Sequence, residues 1–112
     1  DEGGRLRVKP FHNQPHLCPY CPTNMCKGDI LENVLNIKQR YDRVIYIGDG
    51  AGDFCPSLRL TGPNDCVLAR AADSKRQYEL AKLIREHSSK VSVPVQEWST
   101  GQDILRFFQE FL

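Results

Sequence analysis

The sequence predicts an α/β fold, in which helices cover both faces of a parallel β-sheet. The first observation behind this prediction is a regular alternation of helical and strand-like periodicity along most of the 112 residues. The second is that residues 43–48 form an apolar, β-branched run without alternation, as expected of a strand buried on both faces, and that residues 66–69 form a second short buried strand. An alternation of this kind is typical of a doubly wound sheet.

The first 40 residues combine a strand-like segment, a loop and a helix. Residues 4–12 alternate apolar and basic side chains, which predicts a half-exposed strand and a hairpin-like start to the chain. Residues 13–26 contain three prolines and three cysteines without periodicity, and they predict an ordered loop. From Lys27 onward apolar residues recur at helical spacing, with acidic residues early and basic residues late, an order that suits the helix dipole.

The rest of the chain predicts three further strands and three further helices. The strands are expected at 43–48, 66–69 and 91–98. The helices are expected at 56–60, from 73 or 74 to about 87, and from 100 or 101 to the end. The apolar residues of each of the last two helices share one side, and we expect Trp98 to be buried against the final helix.

Composition and charge exclude several classes of protein. The chain has fifteen basic and fourteen acidic residues, so it lacks the excess of basic charge that is typical of proteins that bind nucleic acid. The 40% hydrophobic content argues against a disordered tail. No apolar run approaches the roughly 18 residues that cross a membrane. Five cysteines, an odd number with no secretory segment before them, favour reduced thiols and a cytoplasmic location.

The residues best suited to chemistry follow the strand predicted at 43–48. Its apolar run leads directly into the stretch Gly48-Asp49-Gly50-Ala51-Gly52-Asp53. Ligands of open α/β sheets bind beyond the carboxyl ends of strands, and the glycines allow a tight turn that directs both acids toward one point. Two carboxylates there suit Mg²⁺. The alternative, an Asp-Gly hairpin turn, needs a pairing strand afterwards, and the residues up to Pro56 do not alternate.

Lys27 is the second candidate for chemistry. It stands where the cysteine-rich loop gives way to a helix, beside Gly28, which allows a close approach of the backbone. A lysine in this position can place a point charge on a phosphate oxygen. The alternative is a solvated surface lysine, and the sequence pattern alone does not decide between the two.

Together these motifs resemble a known family. The stretch 48–53 is similar to the fourth motif of the haloacid-dehalogenase-like (HAD) phosphatases, and Lys27 to the lysine of their third motif. The longer stretches 18–27 and 48–58 resemble the phosphoethanolamine/phosphocholine phosphatases and their plant thiamine-phosphate-phosphatase-like relatives. The Pro-Phe-His at 10–12 and the Glu-Trp-Ser at 97–99 also fit, so the resemblance covers nearly the whole chain.

This resemblance implies Mg²⁺-dependent hydrolysis of small phosphomonoesters, foremost phosphocholine or phosphoethanolamine, through an aspartyl-phosphate. In that chemistry Asp49 would be a ligand of Mg²⁺, and Asp53 a second acid of the metal site, acting directly or through water. Lys27 would be the catalytic lysine that binds the phosphate. Gly50 would shape the loop around the metal and the phosphate.

Other parts of the family pattern are absent from these residues. The sequence has no Asp-x-Asp motif, which carries the family's nucleophile, and neither the second-motif Ser or Thr nor the inserted cap. Ala69-Arg70 stands where the family has Pro-Arg, so Arg70 is either a site residue or a surface residue. We therefore expect the C-terminal part of one HAD-like domain, inactive without its N-terminal half as a partner. In it, 1–26 would form the hairpin and cysteine-rich loop, and 27–112 would carry the third and fourth motifs.

The cysteine-rich loop leaves alternatives open. Cys18, Cys21 and Cys26 could bind zinc with His12, His16 or Cys55 as a fourth ligand, which would make the chain a non-catalytic zinc-binding module. A redox pair of the first two cysteines is another alternative. We favour packed, reduced thiols. A last alternative is a structural remnant that pairs with a separately encoded N-terminal half.

Overall fold

The computed structural model describes residues 4, 18–21, 25–37 and 41–111, and its helices and strands alternate as predicted. In chain order they are α1 (Lys27–Ile37), β1 (Ile45–Gly48), α2 (Phe54–Leu58), β2 (Cys66–Arg70), α3 (Glu79–Glu86), β3 (Val95–Trp98) and α4 (Gly101–Phe111). Short 3₁₀ helices span Ala51–Asp53 and Ser88–Lys90. Outside the described residues lie residues 5–12 of the strand expected over 4–12, both histidines at 12 and 16, and residues 13–17 and 22–24 of the loop expected over 13–26.

The three strands form a parallel sheet in the order β1-β2-β3. In its register Ile45 lies opposite Cys66, and Val67 lies opposite Val95. Parallel neighbours cannot be joined by a tight turn, so each pair needs a crossover connection, which α2 and α3 supply. The predicted α/β class is therefore confirmed.

Helices lie on both faces of this sheet. Val67 and Ala69 of β2 belong to the buried core that Phe54 and α3 complete on one face. Side chains alternate along a strand, so Cys66 and Leu68 point to the other face. There Cys66 and Phe107 of α4 line the same cavity of about 270 Å³. The described residues thus form part of a three-layer α/β/α core.

The helix expected at 56–60 spans Phe54–Leu58, and the strand expected at 43–48 spans Ile45–Gly48. Two other predicted boundaries were wrong for identifiable local reasons. The helix expected from residue 73 or 74 begins at Glu79. The Asp73 carboxylate instead accepts the backbone N–H groups of Lys75 and Arg76, both at 2.8 Å, and this contact favours a turn over a helix start. The strand expected from residue 91 begins at Val95, directly after a proline, which has no N–H to donate to the sheet.

Burial along the strands also differs from the prediction. In the described sheet only β2 is buried on both faces; it is the central strand, where the packed helices cover the sheet most completely. Ile47 of β1, the strand expected to be buried on both faces, is 39% exposed. Of the apolar side chains of α4 that were expected to pack in the core, Phe107 is buried and Phe111 is exposed. Trp98 is half-buried and donates its indole N–H to the Leu68 carbonyl at 3.2 Å.

The short connection after β1 is fastened to the core at both ends. Leu80, at the start of α3, donates its N–H to the Asp49 carbonyl at 3.1 Å. Phe54, at the other end of the connection, is fully buried. The core therefore holds the glycine-rich stretch at the carboxyl edge of the sheet. No helix in the described ranges is long and apolar enough to span a membrane.

Candidate active site

The stretch after β1 is a compact loop built around the carboxylate of Asp53. Its Oδ2 atom accepts the backbone N–H groups of Asp49 at 3.0 Å and Gly50 at 3.1 Å. Its Oδ1 atom accepts the Tyr46 hydroxyl at 2.8 Å and the Lys27 ammonium at 3.1 Å. Asp53 is only 7% exposed, so the protein itself meets most of the hydrogen-bonding capacity of this buried acid.

These contacts determine the ionisation states of Asp53 and Tyr46. Burial alone raises the pKa of Asp53, but hydrogen bonds from Tyr46, from the Gly50 N–H, from Lys27 and from the Asp49 N–H outweigh it. The net result is an Asp53 pKa below its ordinary value. Burial, followed by the hydrogen bond to Asp53, raises the pKa of Tyr46. At neutral pH the carboxylate is therefore charged, and the tyrosine is a neutral donor.

One glycine of the loop is required by packing. A Cβ added at Gly48 would lie 2.6 Å from both Cγ and Oδ2 of Asp53, far inside the contact distance of about 3.5–4 Å. At Gly50 the nearest atom would be 4.0 Å away. Among the glycines of the described residues only Gly4 has a positive φ. The loop therefore needs a missing side chain at Gly48, and the turn itself needs no special backbone conformation.

Asp49 faces solvent at the carboxyl end of β1. Its side chain is 52% exposed, and the Arg70 Nη1 atom lies 3.8 Å from its Oδ2 atom. Its backbone is held on both sides, since its N–H is donated to Asp53 and its carbonyl accepts from Leu80. This combination presents an acidic side chain to a ligand from a fixed backbone.

Arg70 is a neighbour of this site. Its guanidinium carbon lies 4.3 Å from the ring centre of Tyr78 and 5.3 Å from that of Trp98. Cation–π contacts with two rings restrict where a flexible arginine can point. The sequence left Arg70 undecided between a site residue and a surface residue, and the structure places it beside Asp49.

Lys27, the first residue of α1, reaches the same loop from another element. Its ion pair with Asp53 joins positions 26 residues apart, while the side chain remains 42% exposed. The structure thus brings Lys27 and Asp53 into contact beside Asp49. The roles predicted for these residues and for Gly50 stay predictions, and the Gly50 N–H is already donated to Asp53.

A group of four cysteines lies next to this loop. The Sγ atoms of Cys18, Cys21, Cys26 and Cys55 are all within 4.8 Å of one another. The sulfur of Cys55 is 3.4 Å from that of Cys18 and 3.6 Å from that of Cys26. Of the three residues considered as a fourth partner for the loop cysteines, the structure brings Cys55 to them.

The environment shifts the acidities of these thiols in opposite directions. Burial raises the pKa of Cys18, but the Tyr20 backbone N–H and the neighbouring thiols outweigh burial and lower it to about 7. Burial, followed by hydrogen bonds with Cys26 and Cys18, raises the pKa of Cys21 to about 11. Burial and the same neighbours also raise the pKa of Cys55.

Comparison with known proteins identifies the family. A family model described as "Putative Phosphatase" matches residues 1–112. The chain belongs to this phosphatase family. Its resemblance to the phosphoethanolamine/phosphocholine and thiamine-phosphate-phosphatase-like proteins is confirmed by relatives of both names. No solved structure matches the chain.

Three relatives illustrate the similarity. Inorganic pyrophosphatase 2 of Arabidopsis thaliana is 36% identical over the whole chain and 40% of its own length. The human phosphoethanolamine/phosphocholine phosphatase is 34% identical over the whole chain and 42% of its own length. The thiamine phosphate phosphatase-like protein of Arabidopsis thaliana is 34% identical, over the whole chain and 46% of its length. The chain thus spans less than half of each of these relatives.

The oxygen donors of this phosphatase-family loop fit a magnesium ion. Mg²⁺ takes hard oxygen ligands, keeps several waters and uses one or two protein carboxylates. The exposed Asp49 carboxylate suits direct ligation. Each oxygen of Asp53 already accepts two protein donors, so a contact through water suits Asp53 better.

Sequence reasoning missed one residue of this site, Tyr46. A tyrosine within an otherwise aliphatic strand was the available signal, because a tyrosine that is largely removed from solvent usually finds a partner for its hydroxyl. Tyr46 and Asp53 are seven residues apart, and only the return of the loop onto β1 brings them together.

Proposed function

We propose that the protein containing this chain is a Mg²⁺-dependent phosphatase that hydrolyses small phosphomonoesters through an aspartyl-phosphate. One observation carries the proposal: at the carboxyl edge of the sheet, Lys27 contacts Asp53 while Asp49 exposes its carboxylate. Ligands of open α/β sheets bind at this edge. A cation and a carboxylate in that place support the binding of a phosphate group together with a hard metal ion.

Each residue has its own part in this proposal. The exposed portion of Lys27 binds a phosphate oxygen and offsets the negative charge of the transition state. Asp49 would hold the metal directly and Asp53 through water, and Asp53 also positions Lys27 through their ion pair. Gly50 keeps the loop close to the phosphate. When bound, Mg²⁺ polarises the phosphoryl oxygens and stabilises the charge that develops on them.

The nucleophile of this reaction lies outside the 112 residues in our proposal, since no Asp-x-Asp pair occurs among them. Attack of a carboxylate oxygen on phosphorus would release the alcohol and leave an acyl phosphate, which water then hydrolyses to restore the carboxylate. We expect the isolated chain to release no p-nitrophenol from p-nitrophenyl phosphate above a metal-free control. Turnover there would show that a nucleophile lies within these residues.

The proposed substrates are phosphocholine and phosphoethanolamine. One relative at 34% identity is named for these compounds, and another at 36% is named an inorganic pyrophosphatase. The residues of this chain therefore support hydrolysis of a phosphate compound directly, and they say less about which group is attached to phosphorus. Phosphate release from phosphocholine, phosphoethanolamine and pyrophosphate would test the choice, and a preference for pyrophosphate would overturn it. A cytoplasmic location, which keeps thiols reduced, completes the proposal.

Two variants in the protein containing this chain test the site itself. Asp49→Asn should abolish Mg²⁺-dependent hydrolysis, and Lys27→Met should lower kcat by about 10²–10³-fold, as loss of one charge-stabilising donor does. Asp42→Asn, at an exposed position before β1, is the matched control and should leave kcat unchanged. Circular dichroism confirms that each variant is folded. Unchanged turnover in Asp49→Asn would overturn the assignment of Asp49 as a metal ligand.

A further inference from the structure

We propose that Cys18, Cys21, Cys26 and Cys55 form a structural zinc site that fastens together the elements bearing Lys27 and Asp53. Their four Sγ atoms lie within 4.8 Å of one another. Sulfurs bound at about 2.3 Å to one tetrahedral zinc lie about 3.8 Å apart, so zinc binding requires shifts of only about 1 Å. A set of four thiolates leaves no open position, as in structural zinc sites.

The four ligands come from three separate parts of the chain. Cys18 and Cys21 have the C-x-x-C spacing common in zinc sites. Cys26 directly precedes α1, and Cys55, 29 residues later, lies in α2. Cys26 and Cys55 are buried, with exposures of 0% and 2%, whereas the first two cysteines are half-buried. Zinc can therefore reach the site from the side of Cys18 and Cys21, in the cysteine-rich loop.

A charged hydrogen-bond donor lies beside the sulfurs. The Arg59 Nη2 atom lies 3.8 Å from the sulfur of Cys26. Zinc with four thiolates carries a net negative charge, and donors around the ligands orient them and offset that charge.

α1 packs very closely against α2 at Gly28. A Cβ added at Gly28 would lie 2.6 Å from the sulfur of Cys55 and 3.0 Å from Nε of Arg59. α1 therefore approaches α2 to a distance at which only hydrogen fits at position 28. The same approach brings Cys26 and Cys55 to 3.6 Å, a separation that suits two sulfurs of one zinc.

Reduced thiols without metal are a weaker explanation of this cluster. A thiol is a weak donor and a weak acceptor, so four S–H groups in mutual contact gain little from one another. Disulfides would join the sulfurs only in pairs and would need an oxidant. Zinc binds all four, and each thiol releases its proton when it binds.

The position of the cluster gives zinc a defined structural role. Cys26 is adjacent to Lys27, and Cys55 follows Asp53 by two residues. Zinc would therefore hold the two partners of the 3.1 Å ion pair in place from one side. It touches no atom of the proposed reaction, so the zinc site and the proposed phosphatase activity can fail independently of each other.

Metal analysis of the purified chain, produced without a histidine tag, is the first test. We expect about one zinc per chain, and less than about 0.1 in Cys18→Ser and in Cys21→Ser. Cys66→Ser is the matched control, because Cys66 lies in β2 outside the cluster, and it should retain the zinc. Equal loss of zinc in Cys66→Ser would overturn the assignment.

Anaerobic exchange of zinc for Co²⁺ is the second test, and it does not depend on the variants folding. Cobalt in a tetrahedral site of four thiolates gives intense visible absorption together with sulfur-to-cobalt charge-transfer bands. We expect this spectrum in the unmodified chain and in Cys66→Ser. A chain that contains no zinc as purified and shows no thiolate–cobalt bands would refute the proposal. So would a disulfide within the cluster, found by alkylation and mass spectrometry of the freshly purified chain.

Discussion

Substitution of Asp53 should reveal how much the loop after β1 depends on this one side chain. In Asp53→Ala the N–H groups of Asp49 and Gly50 and the hydroxyl of Tyr46 lose their acceptor in a nearly buried place. A hydrogen bond to a charged group contributes about 1.5–3 kcal/mol, and such losses are not additive, so we expect the free energy of unfolding to fall by about 3–5 kcal/mol. The ion pair with the 42% exposed Lys27 adds only about 0–1 kcal/mol.

Asp53→Asn should cost much less, about 1–1.5 kcal/mol. An amide has one acceptor oxygen and an NH₂ group with two donor hydrogens. With its oxygen toward the N–H groups of Asp49 and Gly50, the asparagine keeps both backbone hydrogen bonds. Its NH₂ group then faces Tyr46, whose hydroxyl can rotate and accept a hydrogen bond. Only the contact with Lys27 is lost.

Urea unfolding, followed by the fluorescence of the chain's single tryptophan and by circular dichroism, measures these differences. Asp42→Asn is the control, and its free energy of unfolding should stay within about 0.5 kcal/mol of the unmodified chain. If Asp53→Asn and Asp53→Ala are equally destabilising, the assignment of donors and acceptors in the loop is wrong. If Asp53→Ala costs less than about 1 kcal/mol, the carboxylate does not organise the loop.

Two further predictions concern the same loop and the last helix. Gly48→Ala should lower the free energy of unfolding in urea by about 1–3 kcal/mol, because the added Cβ would displace the Asp53 side chain. Gly50→Ala, where the added Cβ has room, should lower it clearly less. Equal losses in the two variants would contradict the steric argument. Hydrogen bonds from the backbone N–H groups of Ser99 and Thr100 lower the pKa of Asp103, so its stabilising effect is full above its ordinary value of 3.8 and is lost as pH falls through the lowered value. A carboxyl titration by NMR should place the pKa of Asp103 below 3.8, and a value at or above it would show that these hydrogen bonds do not form in solution.

Much of the fold was predictable because periodicity is a local property of the chain. Runs of apolar residues predicted the three parallel strands and the helices between them. The predicted starts of α3 and β3 were wrong because Asp73 forms a turn with its neighbours and because the strand begins only after Pro94. Exposure of β1 depends on which elements cover it, and strand composition does not contain that information.

The candidate site was predictable in composition but only partly in arrangement. The glycine-rich stretch singled out Asp49 and Asp53, and the position of Lys27 at the start of a helix singled out Lys27; a resemblance to two phosphatase motifs supported all three. Nothing in the spacing indicated that the Asp53 side chain turns inward onto four donors. Tyr46 entered the site only through the return of the loop onto β1.

By itself the sequence determined the α/β class, the phosphatase family and the residue types available for chemistry, because patterns and motifs are read along the chain. The tertiary structure alone decided which of those residues meet. Lys27 and Asp53 are 26 residues apart, and Cys18 and Cys55 are 37 apart. Separation along a chain carries no information about distance in space until helices and strands pack, so the closed carboxylate of Asp53 and the four-sulfur cluster both depend on that packing.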